Sequence, residues 1–432
     1  MTASKPADKP ASRYSFAVLR GPNFQRLFFT RMFSMMALQA QAVIVGWQIF
    51  DLTGSPFKLG LTGLVEAVPA ISCALFAGHV VDNSHPQKIL SLACGALTLN
   101  ALFLLMIAGG HINFAGIDND QHTVQLSLMY LAVFISGLAR SFIQPSSFTL
   151  LSHFVSREDM PSATGWMSTG LQFGRVAAPA FAGLLYGGYG AHGAWFLPTI
   201  LIALGFVAVS TIRMPDHVRP ERRDDAVKSI KEGWSFLVGH HALLSCMLLD
   251  MLAVLFGDAV AMLPAYASEV LHVGPDGLGA LRAAPAIGAV FTTLVLALRP
   301  MTYITAKKLL WTVAAFGVCI IGFGLSQSFW LSMAFLVISG AFDSISMNIR
   351  GVLMQLLTPA NMRGRISALS SMFIISSNEI GAFESGSMAS LMGLVPSVVF
   401  GGFCTLGITG TIAYLSPKFR ETVVDVKKTA AA

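Results

Sequence analysis

Apolar runs long enough to cross a bilayer constrain this chain more than any other feature. A spanning helix needs ~20 mostly apolar residues. Away from water every backbone N–H and C=O must also be satisfied within the segment. Such windows begin near Phe24, Phe57, Lys88, Val124, Pro161, Ala194, Ala242, Asp276, Lys307, Phe329, Arg365 and Val395. Turn-forming stretches separate them, among them TGSP at 53–56, GGYGAHG at 187–193 and VGPDG at 273–277. Only 12% of the residues are charged and the mean hydropathy is +0.67, where a soluble domain would carry about 25% charge. A water-soluble fold would have to expose much of this apolar surface, and an all-α membrane protein with twelve transmembrane helices is expected instead.

Lys and Arg in the loops set the orientation. With the N-terminus inside, the inner segments hold nearly all of them, including Arg20, Arg26, Lys88, Arg157, Arg213, Arg299, Lys307, Arg363, Arg365 and Lys418; the outer loops hold only Lys58. Both termini are therefore expected in the cytoplasm. The net charge of +6 follows from this bias and calls for no nucleic acid. The polar stretch 214–233 falls between spans six and seven. Its end has Val227, Ile230, Trp234 and Leu237 on one helical face, which predicts a surface helix along the inner leaflet. All five cysteines sit in apolar runs without metal spacing and read as small core residues.

The second half echoes the first. EAVPAI at 66–71 returns as RAAPAI at 282–287, half a chain length later. SGLARS at 136–141 returns as SGAFDS at 339–344, at an offset shortened by a loop, 111–125, that the second half lacks. Two pseudo-symmetric six-helix bundles follow, with the expected boundaries 1–22 (cytoplasmic tail), 23–212 (first bundle), 213–240 (linker with an amphipathic helix), 241–416 (second bundle) and 417–432 (cytoplasmic tail). Repeats of this kind place a site near mid-membrane between the halves.

The echo keeps a charge and reverses its sign: Glu66 answers Arg282, and Arg140 answers Asp343. Arg175, Asp250, Asp258, Arg350, Glu379 and Glu384 add further charge inside apolar runs. Each costs ~3 kcal/mol at mid-membrane on the insertion scale, so these groups must pair or line a wet cavity. Asp343 and Arg350 share a helix face two turns apart, and with Arg140 they could serve only to lock helices together. Glu66, Asp258 and Glu379 have no basic partner nearby on their own helix, and a carboxyl in an apolar cavity can trade a proton near neutrality. They are the proton-coupling candidates. Gln39, Gln41, Arg140, Arg175, Arg282, Asp343, Arg350 and Glu384 are candidates for the substrate cavity or its charge pairs.

The stretches DLTGSPFKLGL (51–61), AGHVVD (77–82), SREDMPSATGWMSTG (156–170), SIKEGWSFL (229–237) and TPANMRGRISAL (358–369) resemble the major facilitator superfamily, in the branch of enterobactin-type siderophore exporters and macrolide efflux pumps. The resemblance runs from about Pro22 to Pro417. The superfamily's loop motif between spans two and three matches at Gly78 and Asp82, with Lys88 as a late basic position; Asn83 and His85 depart from it. The resemblance implies that Asp82 clasps the halves on the inner face, against Arg365 or the start of span eleven. The exporter motif of span five matches at Gly165, Gly174, Pro179 and Gly183, with Ala178 and Ala182 replacing two glycines. These residues are the gating candidates.

The expected function is export of a small organic molecule, siderophore-like or drug-like, by proton antiport with alternating access. The setting would be the bacterial cytoplasmic membrane, and the protein a monomer. The alternatives are a proton-coupled importer of the same fold and a non-transporting membrane receptor or scaffold. No GxxxxGK[ST], HExxH or GxSxG occurs, so neither ATP chemistry nor catalysis is expected, and no cofactor or metal.

Overall fold

A computed structural model describes residues 18–109, 121–156, 158–213, 226–299, 303–359, 362–421 and 423–425. Arg157 and most of the loop 111–125 lie outside them. The first half holds α1 (Pro22–Thr53), α2 (Pro56–Asp82), α3 (Pro86–Ala108), α4 (Gln121–Phe154) and α5 (Met160–Ser210). A linker helix, α6 (Ala226–Gly239), follows. The second half holds α7 (His241–Gly257), α8 (Leu263–Glu269), α9 (Pro275–Leu298), α10 (Ala306–Leu325), α11 (Phe329–Leu357), α12 (Arg363–Met392), α13 (Leu394–Leu415) and the short α14 (Pro417–Arg420). Strands β1 (Tyr303–Thr305) and β2 (Val423–Asp425) pair antiparallel beside α10 and α14.

Among the described residues nine helical stretches are long and apolar enough to cross a membrane. One of them, α5, is two spans: Gly190 sits at φ 67°, ψ −171°, a conformation open to glycine and closed to residues with a Cβ. Another joins α7 and α8 across a break at Asp258. With α2 and α12, 27 and 30 residues long, the twelve expected spans are complete. Gly54 ends α1 in the left-handed region at φ 55° and donates its N–H to the Phe50 carbonyl, the usual glycine stop.

Within the first half α1 packs on α5, α2 on α4, and α3 on both α4 and α5; within the second α9 packs on α11, α10 on α11 and α13, and α7 on α12 and α13. Buried polar locks tie spans together where dispersion alone would be nonspecific. Trp195 donates to Gln48 at 3.1 Å, Asn100 donates to Ser136 at 2.9 Å, and Thr405 donates to the Ala253 carbonyl at 3.2 Å.

The two sequence echoes are one packing contact made twice. Gly137 of α4 lies against α2: a Cβ there would stand 2.8 Å from the Glu66 carbonyl oxygen and 3.0 Å from Pro69 Cγ. Gly340 of α11 lies likewise against the backbone of Pro285 in α9. Each Pro-Ala helix thus receives a Ser-Gly helix at backbone distance.

The halves meet through α2 with α12 and α5 with α9. Both seams are glycine-lined, and both lie toward the end opposite the linker, here called the far face. A Cβ on Gly60 would stand 2.8 Å from Gly386 Cα, and one on Gly279 would stand 2.9 Å from Gly183 Cα. These close approaches hold the two halves together at the far face.

The linker helix α6 docks on the second half: Leu237 is fully buried with Leu243, Met247, Ile366 and Leu369, and Trp234 meets Phe373 edge to face. Trp234 and Val238 stay 48% and 46% exposed.

Candidate substrate and coupling site

Arg140 of α4 is the hub of the site. Its Nη1 lies 2.8 Å from Glu66 Oε1 on α2, and its Nη2 lies 2.5 Å from Glu379 Oε1 on α12. The first partner is in the same half and the second in the other, so a single guanidinium bridges the bundles. Local sequence puts it there. Gly137, one turn before Arg140, lets α4 approach the backbone of Glu66. Gly63, one turn before Glu66, lets α2 approach the Glu379 carbonyl. The three side chains keep 36%, 24% and 13% exposure, so they border open space rather than a dry core. A planar guanidinium has donors enough to meet two carboxylates at once, one from each terminal nitrogen.

Arg282 of α9 lies close by. Its Nη1 donates to the Ala42 carbonyl of α1 at 3.3 Å, again across the halves, and it lies in the electrostatic field of Asp258, Glu66 and Glu379. Asp258 occupies the break after α7. Its Oδ1 accepts the Val260 N–H at 2.9 Å, and its carbonyl accepts the Ser385 hydroxyl at 3.3 Å. Such irregular backbone at membrane depth is tolerated where protein or a cavity satisfies it. Asp343 of α11 interacts electrostatically with Arg175 of α5 and with Asp258. Arg140, Glu66 and Glu379 are thus in direct contact, and Arg175, Asp258, Arg282 and Asp343, from both halves, lie within electrostatic range of one another or of them.

Other sequence candidates lie elsewhere. Arg350 is 5% exposed and pairs with Asp250 of α7, inside the second half and away from Arg140. Asp343 and Arg350 share a face of α11 but do not share a partner. Glu384 has Cys404 of α13 in its surroundings and makes no described ion pair with Arg140. Gln41 donates to Ser136 at 2.7 Å and is buried there, a helix lock rather than a free cavity donor. Gln39 is half-buried with no described hydrogen bond. Arg31, inside α1 beside Cys94, was missed although it interrupts the apolar run.

The gating candidates divide as well. Gly183 and Pro179 form the α5–α9 seam with Gly279, and a Cβ on Gly174 would stand 3.1 Å from Met36 Cγ. Gly165 accepts the Thr169 hydroxyl within α5. Lys88 is exposed on α3. Arg365 pairs with Glu232 of the linker helix at 2.5 Å, a partner the sequence did not suggest. Asp82 closes α2, and its side chain lies outside the described residues.

Comparison with known proteins now bears on this geometry. The profile of the Major Facilitator Superfamily matches residues 27–382. The chain belongs to this superfamily. It is a membrane transporter and not an enzyme. It is 25% identical over 417 residues to the enterobactin exporter EntS of Escherichia coli O1:K1, covering 93% of this chain and 94% of that one. It is 25% identical over 391 residues to EntS of Citrobacter koseri, covering 88% and 89%. Among solved structures of the superfamily fold, a bacterial homologue of the iron transporter ferroportin in an inward-facing state matches with TM-score 0.71 at 15% identity, covering 94% of this chain and 99% of that one. A bacterial homologue of the human lysosomal transporter Spinster, inward-facing and unoccupied, matches with TM-score 0.70 at 14% identity, covering 92% and 97%.

Proposed function

We propose that this superfamily member exports a small organic molecule, siderophore-like or drug-like, across the bacterial cytoplasmic membrane in exchange for protons. The Lys and Arg distribution supports a cytoplasmic linker face and cytoplasmic termini, with the glycine seams closing the outer face and substrate entering from the inside. The first bundle, 23–212, rocks against the second, 241–416, and 213–240 links them. The likeness to the EntS exporters supports the direction and the substrate class.

The observation that carries the reading is the bridge from Arg140 to Glu66 and Glu379. With both carboxylates ionised it holds α2 against α12 and keeps the far face shut. A substrate entering from the cytoplasm competes for Arg140, Arg175 and Arg282, loosens the bridge and lets the far face part. The carboxylates then meet the outside and take protons in place of departing substrate. On return the bridge re-forms only as those protons leave to the cytoplasm. Substrate and proton bind the same charge system in alternation, which couples them.

Everted membrane vesicles test both direction and coupling. A catecholate siderophore and a macrolide are offered as probes. The wild type should accumulate at least one of them inside energised vesicles, and Glu379→Gln should abolish the dependence on the proton gradient. If Glu66→Gln, Asp258→Asn and Glu379→Gln all accumulate the probe as the wild type does, with an unchanged pH response, the coupling assignment is wrong. Accumulation by right-side-out vesicles instead would make the protein an importer.

A further inference from the structure

Between α11 and α12, toward the linker face, lies a cavity of about 290 Å³ that the transport site does not use. Its lining includes Arg350, Thr358, Arg363, Ser367, Ser370 and Ser371. No carboxylate is among its described lining residues. The cavity is far larger than the ~30 Å³ share of one water and close to the lower bound, about 300 Å³, of small-ligand pockets.

Three observations give it a sign. The first is Thr358, 3% exposed, whose Oγ1 has no hydrogen-bond partner. A buried hydroxyl left unpaired is costly, and this one belongs to the wall of a space large enough to hold a partner. The second is α12 itself, which starts at Arg363 with no side-chain cap. The first N–H groups of a helix are unpaired within it, and its dipole favours an anion there. The third is basic charge. Arg363 donates Nε to the Thr358 carbonyl at 3.3 Å, which fixes the guanidinium at the cavity wall with its terminal nitrogens unassigned. Arg350 is balanced by Asp250, so Arg363 supplies the uncompensated charge. The three serines add hydroxyl donors; among them, Ser371 is occupied by the Ser367 carbonyl at 3.0 Å.

We infer that this cavity is a binding site for a phosphate group, distinct from the transport site and reached from the linker face. A tetrahedral anion with several acceptor oxygens suits an arginine fork, a helix N-terminus and clustered hydroxyls together. The phosphate can belong to an anionic lipid headgroup or to a soluble phosphate. Occupancy would fix the start of α12, which carries Glu379 near its middle.

The test is ligand-induced thermal stabilisation of the purified full-length protein. The probes are inorganic phosphate, phosphatidylglycerol and phosphatidylcholine, the lipids delivered in mixed micelles at fixed ionic strength. Phosphatidylglycerol or inorganic phosphate should raise the unfolding temperature saturably and more than phosphatidylcholine does. Arg363→Gln and Thr358→Val should each weaken that binding by about tenfold, the size of one lost charge-assisted hydrogen bond, and Arg363→Lys should restore part of it. Saturation by the lipid alone assigns the site to a headgroup, and saturation by both assigns it to phosphate from either source. Loss of stabilisation by chloride-matched controls, equal shifts from all three probes, or variants that bind as the wild type does would overturn the proposal. Should Arg363→Gln fail to fold, the Ser370→Ala and Thr358→Val variants give the same reading. None of these outcomes depends on transport, so the proton-exchange reading stands or falls separately.

Discussion

The two halves of this transporter make the same helix crossing and then use it differently. In the first half, Pro69 and Gly137 bring α2 and α4 together, and the charges beside them close on each other, Arg140 to Glu66 at 2.8 Å. In the second half, Pro285 and Gly340 bring α9 and α11 together, yet no ion pair within 4 Å joins Arg282 to Asp343. Arg282 reaches instead to the Ala42 carbonyl of α1, and Asp343 interacts with Arg175 of α5. Backbone packing kept its symmetry while the charges diverged toward the interface. Small residues at a crossing are held by sterics, which a duplicated fold preserves. A charge at bilayer depth needs any partner of opposite sign and is free to find it in the other half.

The largest expected effect comes from a pair that lies wholly within the second half. Arg350 and Asp250 keep only 6% and 13% side-chain exposure, so Arg350→Met leaves a buried carboxylate unpaired and should cost ~3–5 kcal/mol. Arg140 is 36% exposed. Solvent screens such a pair, and Arg140→Met should cost less than half as much while abolishing transport. Thermal unfolding of the purified variants decides it. Equal destabilisation by both would mean that the Arg140 bridge is as structural as the Arg350 pair, and the functional contrast would fail.

This division was only partly legible in the sequence. The span starts were legible because hydropathy reports burial in lipid directly: the window expected near Phe329 begins there, and the one near Phe57 begins at Pro56. The turn GGYGAHG located the break that Gly190 makes in α5. The echoes were legible as a repeat, but not as one contact seen from both sides, because Pro69 and Gly137 are distant in the chain. Partner choice was the least legible feature. Glu66 and Arg282 are symmetry mates, yet Glu66 binds Arg140. The seven-residue spacing of Asp343 and Arg350 gave a shared face and said nothing of Asp250 opposite. Arg365 is engaged by Glu232, a partner that lies on the linker helix and that no sequence spacing pointed to.

The helix crossings give a second, smaller contrast. A Cβ at Gly137 would stand 2.8 Å from the Glu66 carbonyl oxygen, whereas one at Gly340 would overlap the Pro285 backbone outright. Overpacking typically costs about 1–3 kcal/mol. Gly340→Ala should fall at the upper end and Gly137→Ala at the lower, read as unfolding temperatures side by side. A reversed order would show that α4 and α2 are the more rigid crossing and that the second half has slack to relax.

The smallest effect concerns the linker helix, which straps α12 of the second half. Arg365 and Glu232 keep 28% and 39% exposure, and exposed pairs contribute about 0–1 kcal/mol and are weakened by salt. Glu232→Gln should therefore change stability by less than about 1 kcal/mol, and the difference should vanish at high ionic strength. Docking should persist, because Leu237 is buried without remainder and Trp234 packs on Phe373. Limited proteolysis at 226–239 reads this directly. If Glu232→Gln exposes α6 to protease as fully as Leu237→Ala does, the strap is electrostatic. The linker would then be a release point tied to Arg365 rather than a fixed apolar part of the second half.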